Sequence, residues 1–296
     1  MAHSVNRATI EAMERGAVTS ASLMVPCAWF PEMARYATEN PSRDFGVHLT
    51  LTSEWRDYRW GPVAPRDRVS SLIDGDGYFW RTTQKVANTV KASDVEIEWR
   101  AQIERARQFG VNISHLDSHM DVGVCRPDLA EVYAALAEEY QTVALFVRPE
   151  SQPPAGYIRA ASVAETRHLP MLDSLHQFYF RELYESRKTR YLNTLRTLEP
   201  GVSQIIVHCG YDDEELRAIA PSISIRDSDR RIFTDPEVMA TIQEYGIETI
   251  TWRQLPALPR LGGDHPQCSA VPGHRAVATS ANESLGGVGH DIHHGF

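Results

Sequence analysis

The sequence predicts an α/β fold, a parallel sheet with helices outside it, and three observations carry that prediction. Over residues 1–256, segments with apolar residues at helical spacing alternate at least five times with short strand-like segments. Those strand-like segments are apolar and bounded by turn signals. The length of 296 residues and the hydrophobic content of 42% suit one large domain, and a β/α barrel of roughly 250 residues is a common solution at that size. A doubly wound sheet fits the alternation equally well. No GxGxxG, GxxxxGK[ST] or GxSxG fingerprint is present, which removes the main nucleotide-binding and α/β-hydrolase signals.

The elements follow in order. Asn6 to Arg15 reads as a helix stopped by Gly16 as a C-terminal cap. Thr19 to Val25 is a buried strand, Phe30 to Thr38 a helix, and Phe45 to Leu51 a strand. Residues 56–78, rich in Pro, Gly, Asp and Arg, make a long loop. Ser93 and Glu96 have the spacing of a capping box opening a helix that runs to Gly110. Ile113 to Leu116 is a strand, Pro127 to Tyr140 a helix with proline in its first turn, and Val143 to Val147 a strand. A helix near Arg187 to Leu198 precedes the strand Gln204 to Val207. Pro236 to Tyr245, capped by Gly246, precedes the strand Ile247 to Trp252. From Ala257 onward Gly and Pro make up 10 of 40 residues, with five of the twelve histidines and no periodic apolar face. Residues 257–296 are therefore expected to be a disordered, dispensable tail beside a single domain spanning 1–256.

Composition narrows the function. Thirty Lys and Arg against 39 Asp and Glu give a net charge of -9, the wrong balance for a nucleic acid or an anionic membrane. No apolar run approaches a membrane span, and the start of the chain has no signal-peptide pattern. Four widely spaced cysteines without a CxxC read as reduced thiols in a cytoplasmic protein.

In parallel α/β folds working residues collect at the carboxyl ends of strands. Three histidines fall there: His48 in Gly46-Val47-His48-Leu49, His119 in Asp117-Ser118-His119-Met120-Asp121, and His208 in Val207-His208-Cys209-Gly210. A lone histidine near an apolar strand is usually structural, but three at strand ends, two near carboxylates, point to a metal or acid–base site. Asp117 reads either as the partner orienting an imidazole or as a turn residue, and His115 as packed or supporting. Trp55, Tyr58, Trp60 and Trp80 flank the long loop, as sugar-stacking faces or as buried anchors.

Taken together, Ser4-Val5-Asn6, Gly16 to Val25, Gly46 to Leu51, His115 to Asp121, Val207 to Leu216 and Gly246 to Trp252 resemble the YdjC-like carbohydrate deacetylases. The resemblance implies a distorted parallel β/α barrel of the NodB or TIM kind and one divalent metal held by an Asp and two His. It also implies a cytoplasmic hydrolase that removes acetyl groups from N-acetylated sugars or oligosaccharides. Carried over by position, His48 and His119 would be metal ligands and His208 the general acid. Arg148 would be a strand-end catalytic arginine, and Arg226 and Asp117 would contact substrate. Arg226 also has the spacing for a surface ion pair with Asp229. The family resemblance favours magnesium, whereas imidazole and carboxylate ligands suit zinc. The expected partner is the acetylated sugar, with neither nucleic acid nor membrane, and a homodimer is left open.

The chain departs from the family in three places. The family opens with a strand ending in Asp-Asp-Phe-Gly that supplies the base and the third ligand, and this chain starts at Met1, where that motif would end. Asp121 stands where a second histidine is usual, and Cys209 replaces a proline. The resemblance thus implies a barrel lacking its first strand, with a gap in its wall, weak metal retention and slow turnover. Two alternatives remain on these residues: an impaired relative that binds sugar without turnover, and a metal-dependent hydrolase of another amide or ester.

Overall fold

Eight short strands form one parallel sheet in a computed structural model that describes residues 1–257 and 275–282. They are β1 (Ser20–Leu23), β2 (Asp44–Leu49), β3 (Ile113–Ser118), β4 (Val143–Ala144), β5 (Ser174–Gln177), β6 (Gly201–Val207), β7 (Ile247–Thr249) and β8 (Arg275–Asn282). The sheet runs β4-β3-β2-β1-β8-β6-β5, with β7 alongside the start of β8. Beyond β4 and before β5 a parallel bridge joins Val147 to Leu172. There Arg148 N–H donates to the Leu172 carbonyl (2.9 Å) and Leu172 N–H to that of Phe146 (2.8 Å), so the two ends of the curled sheet meet. Strands β1, β2 and β6 are buried at every position, as strands covered on both faces must be.

Ten helices surround the sheet among the described residues: α1 (His3–Arg15), α2 (Phe30–Glu39), α3 (Thr83–Thr89), α4 (Ala92–Gln108), α5 (Pro127–Glu139), α6 (Ala155–Thr166), α7 (Tyr184–Arg196), α8 (Glu214–Ile219), α9 (Ile223–Phe233) and α10 (Pro236–Glu244). Pro127 and Pro236 occupy first turns, where a missing N–H costs nothing. Two local expectations are corrected. Gly16 is extended rather than left-handed; it is glycine because a Cβ there would lie 1.8 Å from the Phe233 carbonyl oxygen of α9. Ser93 caps nothing. Helix α4 begins earlier, Ser93 turns to Asp94, and the Lys91 N–H donates instead to Ser71 Oγ at 3.0 Å.

The largest correction concerns the segment expected to be an unstructured tail. Arg275–Asn282 is the strand β8 in the middle of the sheet, paired with β6 along Gly201–Val207 and with β1 from Ser20↔Ser280 to Ser22↔Asn282. Ala276, Val277, Ala278 and Ala281 are buried, and Ser280 Oγ lies 2.6 Å from Ser20 Oγ. Alternating small and β-branched residues carry little apolar signal of their own. Their stability comes from partners 28 (β7), 74 (β6) and 260 (β1) positions away in sequence, which no local pattern reports. The curled sheet thus matches the expected β/α barrel with a strand missing, and β8 lies between β1 and β6. Residues 258–274 and 283–296, with His290, His293 and His294, lie outside the described residues.

Helix α4 ties the long loop to the sheet. Glu98, buried, accepts from the N–H groups of Val63 (3.0 Å) and Ala64 (2.9 Å) and from Gln102 (2.7 Å). Gln102 in turn holds both backbone groups of Thr50, just past β2. Burial outweighs these bonds and pushes the Glu98 carboxyl up to about 7 from 4.5. Between those values the native chain binds more protons than the unfolded chain. Stability from this group is therefore present at low pH and lost as pH rises through the window, by on the order of 3 kcal/mol. Thermal melts of the wild type and Glu98→Gln should show the difference in melting temperature falling from about pH 4.5 to about pH 7; a pH-independent difference contradicts this account.

Candidate active site

The site is assembled from strand register. His48 on β2 and Asp117 on β3 are direct neighbours in the parallel pairing, so their side chains share a face and the His48 Nδ1 meets Asp117 Oδ1 at 2.7 Å. On the far side of β2, Ser22 of β1 is paired with Gly46. Because Gly46 has no side chain, Ser22 Oγ reaches across it to Asp117 Oδ2 (2.8 Å) and His115 Nε2 (2.9 Å). A Cβ at Gly46 would lie 2.6 Å from His115 Nδ1 and block that contact. His115 itself is buried and stacked on Trp252, ring centroids 4.8 Å apart. With the His115 proton on Nε2, Ser22 accepts from it and donates its one hydrogen to Asp117. Asp117 is thus the imidazole-orienting residue, not a turn residue.

Immediately after β3 the chain turns sharply, with Met120 (φ 55°) and Asp121 (φ 56°) in the left-handed region. Strain of this kind at non-glycine residues is held by surrounding structure and clusters at functional sites. The turn places His119, fully buried, with its ring centroid 5.5 Å from that of His48. His119 Nε2 meets Glu54 Oε2 at 2.9 Å, and the Trp60 ring lies 6.0 Å away. Each of the two imidazoles therefore has its own carboxylate.

Burial sets the charges. It pushes Asp117 up, but the charge and hydrogen bond of His48, with His115 and Ser22, hold the carboxyl below its ordinary range. Burial depresses His119 against the pull of Glu54, and depresses His115 as well, favouring neutral rings. Asp121, which accepts from the Tyr157 hydroxyl at 3.0 Å, is pushed up by burial.

The other predicted residues are placed variously. His208, at the end of β6, has its backbone N–H on Asp229 Oδ2 (2.8 Å) and its ring 5.2 Å from that of Tyr179. Arg226 does not pair with Asp229 on the surface. It is buried over the Trp55 ring at 5.6 Å, because Asp229 is taken by Arg187 (2.6 Å) and Tyr191 (3.0 Å) of α7. Arg148 is engaged elsewhere: it is partly exposed, donates to Asp173 at 3.0 Å where the sheet ends meet, and does not line the cavity described next.

A cavity of about 1160 Å³ opens over this end of the sheet. Several residues lining it lie against predicted site residues: Glu54 against His119, Trp55 against Arg226, Tyr179 against His208. Of the loop aromatics only Trp55 lines it; Tyr58 and Trp60 pack on Trp55, and Trp80 faces Lys85. The sequence reading missed Glu54 and the aromatic run Phe178, Tyr179 and Phe180. Imidazole nitrogen and carboxylate oxygen make a suitable donor set for a divalent cation. Among the described residues, however, no three His, Cys, Asp or Glu side chains are grouped closely enough to hold one. The described side chains thus stop short of a complete metal site.

A profile described as YdjC-like protein matches residues 1–244. The chain belongs to this family. A carbohydrate deacetylase of Thermus thermophilus is 35% identical over 238 residues, covering 79% of this chain and 83% of the relative. One from Enterococcus faecalis is 30% identical over 252 residues, with coverages of 85% and 92%. A crystal structure of an Enterococcus faecalis V583 protein, provisionally named for cellobiose-phosphate cleavage, superposes with a TM-score of 0.74 at 29% identity, covering 86% of this chain and 94% of that one. The curled parallel sheet with helices around it is thus the family's fold. No helix among the described residues is long and apolar enough to cross a membrane.

Proposed function

We propose that this chain hydrolyses the amide of N-acetylated sugars, releasing acetate, with a divalent cation (magnesium or zinc) at the His48 and His119 pair. One observation carries the reading: in a family whose relatives are named carbohydrate deacetylases, two buried imidazoles face each other at 5.5 Å, each braced by a carboxylate, beneath a large cavity. A carboxylate on one ring nitrogen fixes the tautomer and orients the other nitrogen for ligation or acid–base work. Trp55, Phe178, Tyr179 and Phe180 give the cavity aromatic faces for the C–H surfaces of sugar rings. Its volume lies at the upper end for small-molecule sites, which suits more than one ring. His208 is assigned the proton delivered to the leaving nitrogen. A bound cation would supply polarisation of the acetyl carbonyl.

Sugar binding without turnover is the second reading, favoured by the incomplete donor set among the described residues. The test is acetate release from N,N′-diacetylchitobiose by the purified chain, after chelation and after return of magnesium or zinc, with sugar binding measured by calorimetry. Cation-dependent acetate release is the expected result. Binding without release selects the second reading, and neither binding nor release overturns both.

A further inference from the structure

We propose that Glu54 is the carboxylate that takes the proton of the attacking water in this site. The inference rests on the amide-hydrolysis reading above and adds to it a residue that sequence patterns did not single out. Glu54 is the one acidic residue among the described residues lining the cavity. Its two oxygens are used differently. Oε2 is fixed on His119 Nε2 at 2.9 Å, whereas Oε1 is buried with no hydrogen-bond partner among the described residues. A buried carboxylate oxygen without a donor is costly, and a donor entering from the cavity relieves that cost. The Glu54 side chain is 11% exposed and lines the cavity, while Oε1 itself is buried behind that surface.

The other buried carboxylates nearby are spent. Asp117 has one oxygen on His48 and the other on Ser22. Asp229 receives Arg187 and Tyr191 on one oxygen and the His208 N–H on the other. Asp121 accepts from Tyr157 and does not line the cavity. The anchoring of Oε2 also removes side-chain freedom from Glu54, so the reactive oxygen is placed before substrate arrives.

The step balances within the chain and its substrate. A water oxygen bonds to the acetyl carbonyl carbon while Glu54 Oε1 takes one of its protons. The C–N bond then breaks with its electron pair going to nitrogen, which is protonated from His208. The proton taken by Glu54 replaces the one His208 gave up, which returns the chain to its starting state; the second water proton remains on the acetic acid and passes to the amine, so the products are acetate and the sugar ammonium.

The test compares wild type, Glu54→Gln, Glu54→Asp and Glu54→Ala on N,N′-diacetylchitobiose in the cation that supports acetate release, with thermal melts to confirm folding. Glu54→Gln should lose about 10²–10⁴ in kcat at saturating cation while its calorimetric affinity for the sugar stays within about threefold of wild type and its zinc affinity falls by no more than the about 10–100-fold that loss of the brace on His119 costs. Glu54→Asp should fall between the two, and added formate should restore part of the activity of Glu54→Ala, which a purely structural role would not allow. A Glu54→Gln kcat within threefold of wild type overturns the proposal. So does a kcat that is regained in full once zinc is raised to saturation, which would make Glu54 only a support of cation binding, or a loss of sugar affinity alone, which would make it a substrate contact. Wild-type protein that releases no acetate overturns the amide-hydrolysis reading and this one together, whereas active wild type with an unimpaired Glu54→Gln overturns this one alone.

Discussion

A charge placed at position 277 should strongly destabilise the protein. Val277 sits mid-strand in β8 with no exposed surface, paired with Ser203 of β6 on one side and Thr249 of β7 on the other, and its carbonyl accepts the Ile250 N–H at 2.9 Å. Val277→Asp buries a carboxyl with no partner at the centre of the sheet. Substitutions of that kind belong to the small class that cost about 4–5 kcal/mol or more. For a domain of this size the melting temperature should fall by roughly 10–20 °C. A chain stopped after residue 257 should show no cooperative transition, because β1 and β6 would both lose their shared neighbour. If either protein melts within a few degrees of wild type, β8 is not the central strand and the sheet must be drawn without it.

The strands that were legible in the sequence are those whose own residues are apolar, such as Ile205, Ile206 and Val207 of β6 or Phe45, Val47 and Leu49 of β2. Strand β5, Ser174–Gln177, was not legible, because it is only half buried and reads as polar. Strand β8 was hidden by small residues within a stretch rich in glycine and proline. Helix α9 was missed for a related reason: its Arg226 and Asp229 look like a solvated face, yet both are buried. Their three-residue spacing suggested a surface ion pair, but both are buried: Asp229 receives Arg187, 42 positions away, and Arg226 donates to Ser222 and lies over Trp55.

In the site, the positions of His48, His119 and His208 followed from strand ends, which is a property of the fold. What each imidazole touches did not follow. Asp117 stayed ambiguous until the register of β2 against β3 set it beside His48. Glu54 gave no signal, because its contact spans 65 positions from a loop to a strand end.

Asp117→Asn should abolish most of the activity and lower the melting temperature as well. Asp117 Oδ1 fixes the His48 proton on Nδ1 and so leaves Nε2 as the nitrogen that works; Oδ2 is held by Ser22, which His115 supports from behind. An asparagine of the same shape keeps one oxygen for His48 only by turning its NH₂ group toward Ser22. That places a donor against the hydroxyl hydrogen now aimed at Asp117, so Ser22 must swing its hydrogen to His115 and the His115 proton must move to Nδ1. The alternative rotamer presents NH₂ to His48 and forces the wrong tautomer there. Carboxylates that support a working imidazole in this way are worth about 10–100-fold when removed, and more where the tautomer itself is lost. The expectation is a kcat lowered by at least about 10²-fold in Asp117→Asn. Ser22→Ala should lose far less, because it removes a support of Asp117 rather than the contact with His48. Because the partners of Asp117 hold its carboxyl below its ordinary range, the charge is net favourable in the folded chain, and Asp117→Asn should also lower the melting temperature at neutral pH, so the kinetics are compared well below both transitions. Acetate-release kinetics on both variants and their double mutant decide the matter: full activity in Asp117→Asn, or losses that simply add in the double mutant, would show that the chain from His115 through Ser22 and Asp117 to His48 does not act as one unit.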